Sequence, residues 1–378
     1  MGKKILYTAT VLSHICQFHL PYLQAFQERG DQVHVAARDN LGEKNGLELR
    51  YADRYVPIPF QRSPKDPQNL EAYRRLKALI EAEDYDLIVC NTPVGGILTR
   101  LAARGARRKG TRVVYIAHGF HFYRGAPRKN WLVFYPLERA FSRLTDLVVT
   151  IAEEDAALAR ARFHCPVGHI HGIGVSPGRY RPASPEERAA MRGAEGLGPE
   201  DFAVLCTGEL NRNKDQASLL RAAARVRGEI PGLRVLLAGN GPLEGELKAL
   251  CGELGLEDTV RFLGYRTDLE KVAPAVDLIV SCSHREGLGL NVIEGMLCGV
   301  PVVASENRGH RELVADGESG LLFPAGGVDA LAGCLLRISR EADREAMGRA
   351  GLERAQAYTV PRVKEELMPL LLGGTADA

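Results

Sequence analysis

The sequence predicts an α/β protein made of two doubly wound, parallel-sheet domains, and three observations carry that expectation. Short apolar runs alternate with helix-length amphipathic stretches along the 378 residues, the order expected of parallel strands covered by helices on both faces. The alternation starts afresh after GHIHGIGVSPGRYRPASPEER, a Gly-, Pro- and Ser-rich stretch that reads as a hinge. The length is more than one core comfortably serves and suits two domains. The expected division is 1–177 and 178–357, with a C-terminal helix over about 358–378 crossing back to the first domain.

In the first half, KKILYTA is the first strand and FHLPYLQAFQERG a helix stopped by Gly30. QVHVAAR and RYVPIPF are strands, and NLEAYRRLKALIEAED is a helix because its apolar residues recur at three- and four-residue spacing. DLIVCN, GILTRLAARGARRKG, RVVYIAHG, WLVFYPLERAFSRL and DLVVTIA continue the alternation. In the second half, FAVLCTG, LRVLLAGNG, VRFLGY, DLIVSCS and PVVAS are strands, separated by QASLLRAAARVRG, LEGELKALCGELG and the helix after DLIVSCS. The helix from about Pro361 to Leu372 is apolar along one face and needs a surface to pack on.

Hydrophobic content of 45% and charged content of 25% are those of an ordinary globular protein. A formal net charge of +2 gives no electrostatic footprint for duplex nucleic acid, so a nucleic-acid partner is not expected. Eight scattered cysteines without a C-x-x-C read as buried free thiols in a reducing compartment, not as disulfides or a zinc site. No apolar run reaches the roughly 18–20 residues of a membrane span, and MGKKILYTAT lacks the long apolar core of a secretory signal. A cytoplasmic protein is the expectation.

Charge is uneven. Leu87 to Leu137 holds no Asp or Glu but nine basic residues: Arg100, Arg104, Arg107, Arg108, Lys109, Arg112, Arg124, Arg128 and Lys129, with Trp131, the only tryptophan, beside the last. Two readings stand: a solvated helix face and loop, or a patch for an anionic lipid surface or a pyrophosphate-bearing acceptor.

Chemistry concentrates in HREGLGLNVIEGMLCGVPVVAS, His284 to Ser305. DLIVSCS is a strand, so His284 to Gly289 is its C-terminal loop and Leu290 to Cys298 the next helix. That helix start offers unpaired N–H groups and a positive dipole end for a phosphate. Gly287 and Gly289 admit a ligand closely, and Glu286 and Glu294 flank the place as acceptors for neutral hydroxyls. Gly295 and Gly299 would let the helix lie close to the sheet.

EGLGLNVIE, with GVPVVAS behind it and ELVADGESGLLFPAG downstream, resembles the E-x7-E signature of retaining glycosyltransferases of family 4. The resemblance spans nearly the whole chain. It implies the GT-B fold, two facing Rossmann-like doubly wound domains with an interdomain cleft. It also implies a retaining hexosyl- or N-acetylhexosaminyltransferase that takes sugar from a nucleotide sugar, UDP being the expected nucleotide, without a cofactor or a metal. By that resemblance Glu286 contacts the donor sugar and Glu294 the nucleotide ribose.

TGELNRNKDQASLL occupies the place of the family's G-R-L-x-x-x-K-G. Lys214 matches the lysine that holds the diphosphate, but Glu209 stands where arginine is expected and Asp215 where glycine is. Arg212, in the same loop, is the replacement cation. VLLAGNGPLEGEL fails as a nicotinamide fingerprint, because Glu244 occupies the third glycine position and no acidic residue ends the next strand. It is similar instead to the family's G-x-G-P turn beside the nucleotide. Gly208, Gly241, Gly264, Tyr265, Gly287, Leu288, Gly289 and Leu290 complete the expected donor contacts.

His118 ends a buried strand in VVYIAHGFHFYRGAP and, by the resemblance, contacts the donor sugar near the reacting carbon. Catalysis is thus expected at Glu286, His118 and Lys214. HICQFHLP, AHGFHFY and YPLER are similar to family members acting in exopolysaccharide or lipid-linked glycan assembly. His14 and Phe18 then line the acceptor side, or simply start a helix, with His121, Tyr123 and Arg124 as further acceptor contacts. The acceptor is expected to be a saccharide or a polyprenyl-diphosphate-linked saccharide, with peripheral contact to an anionic membrane. His164, His169 and His171 suit an extended strand better than a metal site. A UDP-sugar 2-epimerase and a catalytically silent nucleotide-sugar-binding subunit remain the alternatives.

Overall fold

The structure, a computed structural model, describes residues 2–43 and 46–374. Val175–Thr359 forms one compact unit, and the chain before and after it forms the other. The chain therefore divides at 174/175 and 359/360, where the sequence suggested 177/178 and 357/358. The two passes run side by side, Val175 N donating to Tyr358 O at 2.9 Å.

The first unit is a seven-stranded sheet of order β3-β2-β1-β4-β5-β6-β7. Its strands are β1 Lys4–Val11, β2 Gln32–Arg38, β3 Arg54–Pro57, β4 Leu87–Asn91, β5 Arg112–Ala117, β6 Leu147–Thr150 and β7 Val167–His169. Every pairing is parallel; Ile5 on β1 faces Val33 on one side and Leu87 on the other. Both faces are covered, so β1 and β4 are buried along nearly their whole length, Thr8, Thr10 and Asn91 included, instead of alternating. One element differs from expectation. The segment after β1 is helical at once, Leu12–Phe18 followed by Leu20–Glu28. Buried Leu12, Ile15 and Cys16 carry the apolar face of the first helix, and Pro21 sits in the first turn of the second, where a missing N–H goes unneeded. The HCPVGHIH stretch supplies β7, an outer strand paired with β6.

The helix Val360–Leu372 belongs to this unit and buries Val363, Leu367 and Leu371. Arg112 Nη2 donates to Leu370 O (3.0 Å), and Glu366 accepts from His171 N (2.9 Å). Gly168 on β7 lies against the Leu370 side chain, whose Cδ1 would stand 2.9 Å from a Cβ placed there. Residues 375–378 of the expected C-terminal segment lie outside the described residues.

The second unit is a six-stranded parallel sheet of order β10-β9-β8-β11-β12-β13. Its strands are β8 Phe202–Thr207, β9 Leu233–Ala238, β10 Val260–Gly264, β11 Leu278–Ser281, β12 Val302–Glu306 and β13 Leu321–Pro324. The helix Leu290–Leu297 lies tight on β11: a Cβ at Gly295 would come within 2.5 Å of Ile279 Cγ1. Gly299 does something else. Its φ of +72° terminates that helix in the left-handed region, so only one of the two glycines serves packing on the sheet.

The basic stretch resolves residue by residue. Arg100 is fully buried; its Nη2 pairs with Glu138 Oε2 at 2.8 Å, its Nε donates to Gly96 O, and its guanidinium lies 4.1 Å from the Tyr115 ring centroid. Arg107 pairs with Asp146 at 2.9 Å. Arg100 belongs to no surface patch, and Arg107 is half-buried. Arg104, Arg108, Lys109, Arg124, Arg128 and Lys129 are exposed. All eight cysteines are free, and six of them are buried.

Removing one member of a buried pair strands the other charge. Arg100→Met should therefore destabilise the first unit by ~3–5 kcal/mol, read as a lowered urea midpoint. Changing Arg100 and Glu138 together to Met and Leu should recover most of that loss.

Candidate functional site

In the second unit the strand order reverses between β8 and β11, and ligands of open parallel sheets settle beyond the strand ends at such a point. The loops after these two strands are stitched together. His284 N donates to Asn213 O (2.8 Å) and Asn213 Nδ2 to Arg285 O (3.0 Å). Lys214 Nζ and Glu286 Oε1 meet at 2.6 Å. Burial pushes the Glu286 carboxyl up, but Lys214, a hydrogen bond from Ser283 and nearby His310 outweigh it and hold the group below its ordinary range.

The loop after β9 lies directly against the loop after β8. Gly208 N donates to Ala238 O (2.9 Å), Leu210 N to Asn240 O (3.0 Å) and Leu243 N to Leu210 O (3.0 Å). A Cβ on Gly239 would stand 2.0 Å from Gly208 O, and one on Gly241 would stand 2.3 Å from Leu210 O. Gly239 also has φ +144°. Next along, Gly239 N donates to Gly264 O (2.8 Å), and Tyr265 is 55% exposed at the turn after β10. The sequence-expected donor residues at 208, 214, 241 and 264 thus sit on successive loops at one edge of the sheet.

The helix Leu290–Leu297 begins at Gly289, whose φ is +105°, and has no acidic residue in its first turn. Its free amides can therefore take an anion. Leu288 is buried, while Gly287 and Leu290 are half-buried. Glu294, one turn into the helix, is bonded by the Tyr180 hydroxyl. Burial drives its carboxyl up to about 7, with Tyr180 and Arg179 pulling the other way. Glu209 turns aside: it accepts from Asn211 Nδ2 at 3.0 Å and is exposed, as is Arg212. Lys214 is the cation that faces Glu286.

Sequence reasoning missed Tyr180, which lies in the stretch read as hinge, and His310. The His310 Nδ1 lies 2.7 Å from Ser305 O and 2.9 Å from Asn307 Nδ2; its Nε2 is buried without a protein partner among the described residues. That Nε2 would lie 3.2 Å from a Cβ on Gly289. The motif NRGHREL carried no signal that its histidine would turn inward.

In the first unit, His118 follows β5, His14 lies on Leu12–Phe18, and His19 joins the two helices after β1. Their rings converge: His14 Nε2 is 3.2 Å and His19 Nε2 3.3 Å from His118 Nε2. Asn91 Oδ1 is 3.2 Å from the same atom. Phe18 packs edge-on against His14 at 5.0 Å. Burial lowers all three imidazoles, His14 to about 4, and holds them neutral. His14 and His121 both line a cavity of about 450 Å³ walled by Phe120, Phe122, Phe134, Val94 and Ile97. Tyr123 and Arg124 do not line it; Arg124 N donates to Glu154 Oε1 at 2.9 Å. His169 pairs with Glu153 (3.4 Å) and His171 with Glu366 (2.9 Å), so these two rings serve the edge of the sheet.

Comparison with known proteins fits this geometry. The family profile Glycosyl transferases group 1 matches residues 187–354, and Glycosyltransferase Family 4 matches residues 22–174. The chain is 44% identical over 371 residues to "Putative glycosyltransferase EpsD" of Bacillus subtilis (strain 168), covering 97% of this chain and 96% of that protein. It is 29% identical, over 80% of each chain, to the GDP-mannose-dependent alpha-(1-6)-phosphatidylinositol monomannoside mannosyltransferase of Mycolicibacterium smegmatis. The crystal structure of Anabaena Alr3699/HepE in complex with UDP and glucose superposes with a TM-score of 0.79 at 23% identity, covering 98% of this chain and 99% of that one. That likeness speaks for the fold, GT-B.

The close approach at Gly239 gives a test. Gly239→Ala drives a methyl into a carbonyl and strains φ, so it should cost ~1–3 kcal/mol in chemical denaturation.

Proposed function

The chain belongs to glycosyltransferase family 4, and from that premise we propose that it moves a sugar from a UDP-sugar to a saccharide or lipid-linked saccharide acceptor with retention at the anomeric carbon. The observation that carries the reading is the Lys214–Glu286 pair at 2.6 Å, set at the reversal of strand order beside a helix start free of acidic side chains. The donor diphosphate sits on the first amides of Leu290–Leu297, with Lys214 released from Glu286 to meet it and Arg212 adding charge from the loop. Glu286 then accepts from a sugar hydroxyl and Glu294 from the ribose hydroxyls. The turn at Gly264 and Tyr265 borders the base.

In the transfer step the bond from the anomeric carbon to the diphosphate oxygen breaks as the acceptor oxygen attacks the same face. The acceptor proton leaves on the departing diphosphate. Charge on that leaving group falls to Lys214 and the helix amides, a fixed electrostatic arrangement that calls for no divalent ion at this position. UDP is favoured as nucleotide by the HepE likeness, and an exopolysaccharide or lipid-linked glycan role by the relation to EpsD and by the motifs HICQFHLP and AHGFHFY.

His118 is assigned, by the family resemblance, to the donor sugar near the reacting carbon. On the acceptor side His14, Phe18 and His121 bind saccharide hydroxyls and ring faces, with Tyr123 and Arg124 nearby in sequence. The apolar cavity beside His14 suits the hydrocarbon of a lipid-linked acceptor. Peripheral membrane contact is supported by the helix Arg128–Phe141, which exposes Leu132 (77%) and Val133 (58%) next to Arg128 and Lys129. No helix among the described residues is long and apolar enough to cross a membrane.

Loss of one well-placed charge at a leaving group raises the barrier by ~2.7–4 kcal/mol. Lys214→Met should therefore lower kcat about 10²–10³-fold in a UDP-release assay, and Glu286→Gln should abolish transfer with the fold intact by circular dichroism. Full transfer by Glu286→Gln overturns the reading.

Glu294 gives a pH signature. Its carboxyl stands at about 7 in the folded chain, above the ordinary range. The stability it confers is full below the unfolded value and is lost as pH rises through about 7. The ionised form is the better acceptor for ribose hydroxyls. The donor KM should fall up to about tenfold between about pH 6 and about pH 8, and Glu294→Gln should flatten that limb.

A further inference from the structure

Glu294 is a buried carboxyl with no ion-pair partner among the described residues. The two basic side chains that act on it have carboxylates of their own: Lys214 meets Glu286 at 2.6 Å and Arg179 meets Glu270 at 2.9 Å. What Glu294 has is the hydroxyl of Tyr180, which bonds the carboxyl directly. Burial makes that phenol harder to ionise, so it stays a donor, and a donated hydrogen favours the charged carboxylate. Several groups therefore face Glu294. Tyr180 and Arg179 come from the start of the second unit and Lys214 from the loop after β8. Glu270 comes from the helix Leu269–Val272, and the Cys298 thiol lies just past the end of Glu294's own helix. Of these, Tyr180 is the hydrogen-bond partner.

The tyrosine is held firmly in place. Tyr180 N donates to Ser176 O at 3.0 Å, closing a turn just past Val175. Its ring lies 5.6 Å from the Arg179 guanidinium. Arg179 in turn donates from Nη2 to Thr267 O at 2.6 Å and from Nε to Glu270 Oε2 at 3.0 Å. Thr267 stands two residues past Tyr265, in the stretch after β10. Packing alone explains the ring, and a phenylalanine would serve it. The hydroxyl is another matter: with its residue only 6% exposed, it costs free energy unless bonded, and Glu294 is what it bonds.

We propose that Tyr180 is a positioning residue of the donor site, whose hydroxyl keeps Glu294 in the charged form that accepts from the nucleotide ribose. The turn Ser176–Tyr180, which the sequence suggested as hinge, is then part of nucleoside recognition, tied through Arg179 to the turn that borders the base. That role presupposes Glu294 as the ribose acceptor proposed above.

The test is UDP binding by calorimetry from about pH 6 to about pH 9, on the full-length wild type, Tyr180→Phe and Glu294→Gln. Dividing each affinity by that of Glu294→Gln cancels the titration of the terminal phosphate of UDP. For the wild type this ratio should rise with pH through about 7, where the Glu294 carboxyl stands. Tyr180→Phe, shown folded by circular dichroism, lacks the donated hydrogen, so its rise should come about one pH unit later. It should bind UDP roughly fivefold more weakly than wild type at about pH 7 and about equally at about pH 9. A penalty of the same size across the range, as lost packing would give, or a rise left at the wild-type pH, overturns this proposal alone. A flat wild-type ratio overturns the ribose role of Glu294 and this proposal with it. If Tyr180→Phe does not fold, Tyr180→3-fluorotyrosine, a stronger donor of nearly the same shape, should bring the rise to lower pH; an unmoved or later rise overturns the proposal.

Discussion

Two missing side chains set the shape of the second unit. At Gly239 and Gly241 the loop after β9 runs so close to the loop after β8 that a methyl at either place would overlap a carbonyl oxygen. The approach is closed by main-chain bonds, Gly208 to Ala238 and Leu210 to Asn240. Held down in this way, the β8 loop presents Lys214 toward the end of β11, where His284 and Asn213 complete the seam. A loop fixed by backbone bonds loses little further freedom when a ligand arrives, which is how a site gains affinity without added contacts.

On that frame the two glutamates of one short segment take opposite characters. Glu286 is drawn below its usual range by a lysine at 2.6 Å, whereas Glu294, eight residues on, is raised to about 7 by burial. Environments that push like groups apart are the usual sign of divided labour. One carboxylate is a fixed charge that organises cations; the other can change its proton as a ligand enters. The glycines and the helix between them provide both settings within eight residues of chain.

Legibility differed between the halves for a physical reason. The donor features lie within contiguous stretches, so glycine placement, the strand before and the helix after could all be read in order. Lys214 was identified through its motif, and the doubt at Glu209 matches a side chain turned toward Asn211. The histidine cluster is built from β4, β5 and the helices after β1, positions that only folding brings together; His14 and His118 were named separately, His19 and Asn91 not at all. Arg100 shows the converse. Counted with its neighbours it belonged to a basic run, but its partner Glu138 is 38 positions away and local sequence cannot supply it.

The last helix of the chain, Val360–Leu372, fills a groove of the first unit next to Gly168 and the Arg112 side chain. During synthesis on the ribosome the whole of Val175–Thr359 emerges before that helix does. The second unit can reach its native state early, while the amino-terminal half waits, with the flank of β7 bare, until Val360–Leu372 has emerged.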